Sequence, residues 1–118
     1  MNEVIVKYIQ PSNPYKRAKW ELVEDYTSYT GVLVPKGYVT DGASVPVFLH
    51  TLMSPTGPIF KAAIVHDYLI DKNNGNWDEA NRVFYEELEY CDISDFRIRV
   101  IKLAINTASK FRSKRVIL

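Results

Sequence analysis

The sequence predicts an α+β domain, and three observations carry that reading. Short segments rich in β-branched and aromatic residues crowd the first 40 positions. Long segments with apolar residues every three or four positions fill residues 59–111. Proline, glycine and asparagine clusters fall at the junctions between them. Strands first and helices afterwards imply a small antiparallel β-sheet in the N-terminal half packed against about three α-helices in the C-terminal half.

The first strand runs through Val4, Val6 and Tyr8 until Pro11-Ser12-Asn13-Pro14 interrupts it, because proline lacks the ladder donor. Lys19 to Thr30 is a second β segment, with Glu24-Asp25 breaking its alternation as a turn. Gly31 to Val34 is a third, and Pro35-Lys36-Gly37 turns into a fourth, Tyr38 to Thr40. Turns this short predict antiparallel pairing of the strands they join, since parallel pairing needs a long crossover.

After Pro46 the texture becomes helical. Val47 to Met53 reads as a short helix with Ser44 as N-cap and Pro46 in its first turn. Ser54-Pro55-Thr56-Gly57-Pro58 ends it. Ile59 to Asp71 is a helix that turns Ile59, Ala62, Ala63, His66 and Ile70 inward, with Asp67 one position round. Lys72-Asn73-Asn74-Gly75 closes it, as asparagine and glycine tolerate the left-handed conformation. Asn76, with Glu79 three residues on, opens a helix from Trp77 to Tyr90 in the manner of a capping box. Ser94 caps the last helix, striped by Ile98, Ile101, Ala104, Ile105, Ala108 and Phe111.

Composition bounds the function. The 118 residues suffice for one domain, residues 1–118, with a core of its own. A net charge of +1 gives no bulk field toward nucleic acid or membrane, so nucleic acid is disfavoured as a partner. The single cysteine, Cys91, forms no intramolecular disulfide, and its acidic neighbours Glu89 and Asp92 disfavour a thiolate, so it reads as structural. No run approaches the roughly 18 apolar residues of a membrane span. Acidic Glu3 interrupts any signal-like start. The expectation is a cytoplasmic protein.

The chemistry concentrates in Thr40 to Pro46 and in Ala63 to Leu69. Asp41 ends a strand before a turn-forming glycine, and His66-Asp67 sits inside an apolar helix, where unpaired polar groups are costly. A histidine with two carboxylates suits a divalent metal, with Asp41, His66 and Asp67 as ligands and water completing the shell. The same groups suit metal-free acid–base catalysis by Asp41, His66 and Asp67, and Ser44 adds a nucleophile. Ser44 lacks the G-x-S-x-G elbow that would support it independently. Against these stands a plainer reading: Asp41-Gly42 as a turn, Ser44 as a cap, and His66 as a buried, hydrogen-bonded core residue. His50, the other histidine, has no ligand-spaced partner.

A second cluster is basic. Arg97, Arg99, Lys102, Lys110, Arg112, Lys114 and Arg115 sit on or after the last helix, while the helix before it carries Asp78, Glu79, Glu86, Glu87 and Glu89. The expectation is two solvated faces lying side by side, with Arg112, Lys114 and Arg115 as the binding candidates for an anionic partner. The aromatics Tyr8, Tyr15, Trp20, Tyr26, Tyr29 and Tyr38 serve either a groove or the filling of a small sheet.

Val34-Pro35-Lys36-Gly37 followed by Thr40-Asp41-Gly42-Ala43-Ser44-Val45-Pro46 resembles the signature of a small family of unknown function found in phages and prophages. The family's A-x-x-x-H-D-Y-L segment is matched by Ala62 or Ala63 through His66-Asp67-Tyr68-Leu69, and its A-D-x-x-F segment by Ala80-Asn81-Arg82-Val83-Phe84. The likeness covers roughly Gly31 to Phe111 and departs at Asn81, where aspartate is usual, and at Ile70, where tyrosine is common. It implies a phage or prophage origin and no settled activity. Two functions follow as expectations: a hydrolase-like domain using the Asp41–His66–Asp67 set, or a non-catalytic virion or assembly accessory that binds a phage or host protein.

Overall fold

In the computed structural model, residues 3–14, 19–40, 58–91 and 93–117 are described, the side chains of 58 and 111–117 excepted. Their elements are β1 (Val6–Ile9), β2 (Lys19–Leu22), β3 (Tyr26–Thr27), β4 (Leu33–Val34), β5 (Val39–Thr40), α1 (Pro58–Lys72), α2 (Asp78–Glu89) and α3 (Asp95–Ile117). The α+β class read from the sequence holds. The turn at 41–46, the 47–53 helix, Tyr15 and His50 lie outside the described residues.

The strands divide into an antiparallel sheet ordered β1-β2-β5 and an antiparallel pair β3-β4. The joined strands β4 and β5 do not pair with each other, contrary to the short-turn expectation. Register explains why. Trp20 faces Thr40, Glu21 faces Val39, Tyr26 faces Val34 and Thr27 faces Leu33, so both pairings follow one register about a single turn. The β2-β5 and β3-β4 pairs are one long hairpin, edged by β1 and interrupted where Pro35 comes opposite Asp25 and offers no N–H to the ladder. Local hydrogen bonds fill the gap. Lys36 N–H donates to Asp25 Oδ1 at 2.7 Å, and Gly37, at φ +90°, donates its N–H to Leu22 O at 2.8 Å.

The turn of this hairpin, Ser28 to Val32, has the three-residue form that ends on a left-handed glycine. Gly31 N–H returns to Ser28 O at 3.0 Å, Ser28 N–H reaches Val32 O at 2.9 Å, and Gly31 sits at φ +93°.

Helix α1 is central, with every residue from Ala62 to Asp67 buried. One side packs Phe60, Ile64, Val65 and Leu69 with Leu22, Tyr26 and Val34 of the hairpin and Ala80 and Val83 of α2. Trp20 meets Phe60 edge-on at 5.7 Å and so ties β2 to the helix. Another side joins Ile59 and Ala62 to Trp77, Phe84 and Leu88 of the α2 region and to Ile101 and Ile105 of α3. Burying a side chain of this size contributes about 1.5–3 kcal/mol.

The helix ends follow their sequence signals. After α1, Asn74 (φ 56°) and Gly75 (φ 87°) are left-handed, and Gly75 N–H closes on Ile70 O at 2.8 Å. Asn76 Oδ1 accepts Asp78 N–H at 2.8 Å, but Glu79 does not complete the capping box. Its carboxylate takes Asn73 Nδ2–H at 2.9 Å, and Asn76 N–H goes to Asn73 O. Ser94 Oγ accepts Arg97 N–H at 3.3 Å, the expected N-cap of α3. Among the described residues, no helix is long and apolar enough to cross a membrane.

Candidate functional site

His66 enters the structure as the buried histidine of α1, with its side chain 0% exposed. It faces α2: Trp77 stands edge-on to the imidazole at 5.1 Å and Phe84 lies tilted against it at 4.9 Å. Its Nε2 is 2.7 Å from Asn81 Oδ1 on the same helix. An amide oxygen only accepts, so Nε2 carries the proton and Nδ1 is the acceptor nitrogen of the neutral ring. Burial among the rings lowers the His66 pKa from 6.5 to about 4, the hydrogen bond with Asn81 offsetting only part of that shift. At neutral pH the imidazole is uncharged.

Asp67, the next residue, is also buried, but it faces the hairpin and accepts a hydrogen bond from Thr40 Oγ1. Consecutive helical positions diverge by about 100°, so His66 and Asp67 serve two different interfaces. One turn on, Asp71 accepts the Tyr38 hydroxyl at 2.8 Å, while Tyr38 and Tyr68 meet edge-on. The side of α1 facing β5 is thus held by two carboxylates, and the side facing α2 by one histidine.

Asp41 and Ser44 lie outside the described residues. Among the described residues no group of three or more His, Cys, Asp and Glu side chains is placed to hold a metal ion. Arg112, Lys114 and Arg115 continue the backbone of α3 to Ile117. Arg97, Arg99 and Lys110 are exposed, as expected of a solvated basic face, while Lys102 lies over the Tyr85 ring at 5.4 Å.

One acidic residue departs from its expected solvated face. Glu87 is 1% exposed and accepts Tyr29 N–H at 3.3 Å, Thr30 N–H at 2.8 Å and Thr30 Oγ1–H at 2.5 Å. Two turn amides and a hydroxyl satisfy the carboxylate, which docks α2 onto the hairpin tip. The periodicity of α2 carried this signal: Glu87 follows Ala80, Val83 and Phe84 on the apolar face at helical steps.

Tyr26 lies beneath this contact, its hydroxyl buried without a hydrogen-bond partner among the described residues. Burial and then the Glu87 charge push its phenol up. The same two causes raise the Cys91 thiol, against a smaller pull from Lys61, and Cys91 Sγ lies 3.5 Å from Glu87 O. Burial and Glu87 thus hold Cys91 against thiolate formation. Of the aromatics, Tyr26 fills the core, while Trp20 and Tyr38 pack against it. Tyr8 and Tyr29 are exposed, Tyr29 stacked on Tyr90 at 5.2 Å.

An interrupted hairpin laid on a buried helix, with polar ties from that helix to β5 and to α2 set in an apolar core, defines a small α+β protein. Within that class the chain belongs to the family described as "Protein of unknown function (DUF1353)", which matches residues 6–105. The chain is also 39% identical over 51 residues to the uncharacterized protein y4iH of Sinorhizobium fredii (strain NBRC 101917 / NGR234). That stretch is 42% of this chain and 21% of the relative's length. No solved structure matches.

Proposed function

We propose that the chain is a non-catalytic interaction module of phage or prophage origin, a virion or assembly accessory or a binder of a host protein. It acts as one domain over residues 1–118, in the host cytoplasm or on the virion. One observation carries this reading: His66, the most reactive group of the expected site, is fully buried between aromatic rings with its Nε2–H bonded to Asn81. Such a group contributes to the fold and does not meet a substrate. Function on this reading belongs to the surface. The test is turnover of generic esters and phosphodiesters by the purified protein, with and without added divalent metal. Background rates are expected throughout. Turnover that disappears in a folded His66→Gln variant overturns the proposal.

A second reading, a hydrolase-like domain, is favoured by one specific feature. Asn81 fixes the tautomer of a neutral imidazole, as the orienting residue of an acid–base pair does. Asn81 is itself only half-buried, so one side chain separates His66 from the surface. In that reading His66 is the base, Asp41 holds a proton or a divalent metal and Ser44 is the nucleophile, while Asp67, bonded to Thr40 on the hairpin side, stands apart from them. Metal analysis of the purified protein tests the metal-bound form. Absence of both bound metal and any stabilisation by added divalent ions counts against it.

A further inference from the structure

Helix α3 is apolar on two sides. Ile101 and Ile105 are buried toward α1 and α2, and Ile98 and Ala108 flank them. On the opposite side Phe96 is 73% exposed, Val100 38% and Leu103 70%. Phe96, Val100, Leu103, Thr107 and Lys110 follow one another at steps of four, three, four and three. That is the 3.5-residue spacing of a coiled-coil seam, and it differs from the broader stripe a helix turns to a globular core. The seam covers two heptads, about 20 Å of helix.

We infer that this face of α3 docks an amphipathic helix of another protein whose flanking positions are acidic. The inference rests on the interaction-module reading and gives it a surface and a partner chemistry. Charge selects the occupant. Arg97 and Arg99 occupy the positions beside Phe96, Val100 and Leu103 that flank a seam, and both are exposed. Lys110, also exposed, ends the seam itself. Asp95, at the first position of the helix, is the one acidic residue of α3. A second copy docking α3 on α3 in parallel would bring arginines against arginines, and an antiparallel copy would offer Arg97 and Arg99 no carboxylate to meet. A helix with glutamate or aspartate at its flanks meets both the apolar row and the cations. An anionic bilayer suits the surface less, since an apolar row one residue wide that passes into Thr107 and Lys110 offers little to a membrane.

The test uses two synthetic three-heptad helices with leucine at both seam positions. One carries glutamate at the flanks and the other lysine. Binding to the full-length protein is followed by fluorescence anisotropy, with sedimentation equilibrium of the protein alone. The glutamate peptide binds and the lysine peptide does not. Leu103→Glu weakens binding about tenfold or more, as loss of a seam anchor should. Arg99→Glu weakens the glutamate peptide and admits the lysine peptide. Both positions are exposed, and unchanged circular dichroism confirms that the variants fold. Equal binding of both peptides, no binding of either, or indifference to Leu103→Glu overturns the inference. So does a dimer that Leu103→Glu dissociates, or binding confined to anionic phosphatidylserine vesicles. A phage or host protein whose capture survives Leu103→Glu rejects this surface and leaves the module reading intact. His66-dependent turnover rejects the module reading itself.

Discussion

His66 Nε2 and Asn81 Oδ1 meet at 2.7 Å across the α1–α2 interface, between the rings of Trp77 and Phe84. The bond joins the central helix to its neighbour through two polar atoms in otherwise apolar packing. Breaking it from either side leaves a group without its partner, which costs more than the bond contributes when made. Asn81→Leu strands the Nε2–H and is expected to destabilise the fold by about 2 kcal/mol. His66→Ala adds a cavity and is expected to cost about 3 kcal/mol or more. Urea unfolding checks both, and losses within about 0.5 kcal/mol, the range of an ordinary surface substitution, would show that the pair holds nothing together.

Asn81→Asp is a different perturbation. A carboxylate at hydrogen-bonding distance favours the charged imidazole, so the His66 pKa is expected to rise well above the 4 set by burial. Titration of the ring by NMR in this variant reads the shift directly. An unmoved pKa would mean that residue 81 does not govern the histidine.

The lowered pKa makes stability depend on pH with a definite sign. Above about pH 6.5 the ring is neutral in the folded and unfolded chains, and the full stability is present. As pH falls from about 6.5 toward 4 the unfolded chain takes up a proton that the folded one refuses, and stability is lost. The loss over that window is of the order of 3 kcal/mol, from the difference between the two pKa values. Below about pH 4 both states are protonated and this contribution to the slope ends. Thermal denaturation across the window, compared with His66→Gln, isolates the effect; parallel curves for the two proteins would refute it.

Glu87 is the second polar anchor of α2. Glu87→Ala leaves the amides of Tyr29 and Thr30 without their acceptor and the Thr30 hydroxyl with only Ser28 Oγ, and about 3 kcal/mol of stability is expected to go. Glu87→Gln keeps one acceptor oxygen and is expected to cost less. The hairpin tip should loosen first, so amide exchange at Tyr29 and Thr30 is the sensitive measurement. Unchanged protection there in the alanine variant would sink the docking role.

At the end of α1, Gly75→Ala is expected to cost about 1 kcal/mol through its left-handed backbone. A Cβ there meets nothing within 4 Å, so the cost is conformational and not steric crowding. Asn74→Gly should be neutral or slightly stabilising. A neutral Gly75→Ala would mean that the turn relaxes to another shape.

Local chemistry made much of this legible in advance. The Asn74-Gly75 closure, the Ser94 cap and the inward direction of His66 each depend on a few neighbouring residues, and each stands in the structure. The division of the strands was not legible, because Pro35 facing Asp25 is a consequence of register between segments ten residues apart. The histidine's partner came from another helix, and nothing local points from His66 to Asn81. The pairing of His66 with Asp67 as a dyad suggested a shared site, yet adjacent helical positions cannot share a face, and the two residues hold different interfaces. Glu87 looked solvated by charge alone, although its helical phase already placed it with Val83 and Phe84.

The role of His66 as a core group can be read from one long-range nitrogen–proton NMR titration of the imidazole, which reports tautomer and pKa together. The expected result is the Nε2–H tautomer and a neutral ring from about pH 8 down to about pH 5, with protonation only toward pH 4. A midpoint near 6.5, or the Nδ1–H tautomer, would contradict it and return His66 to an open, reactive site.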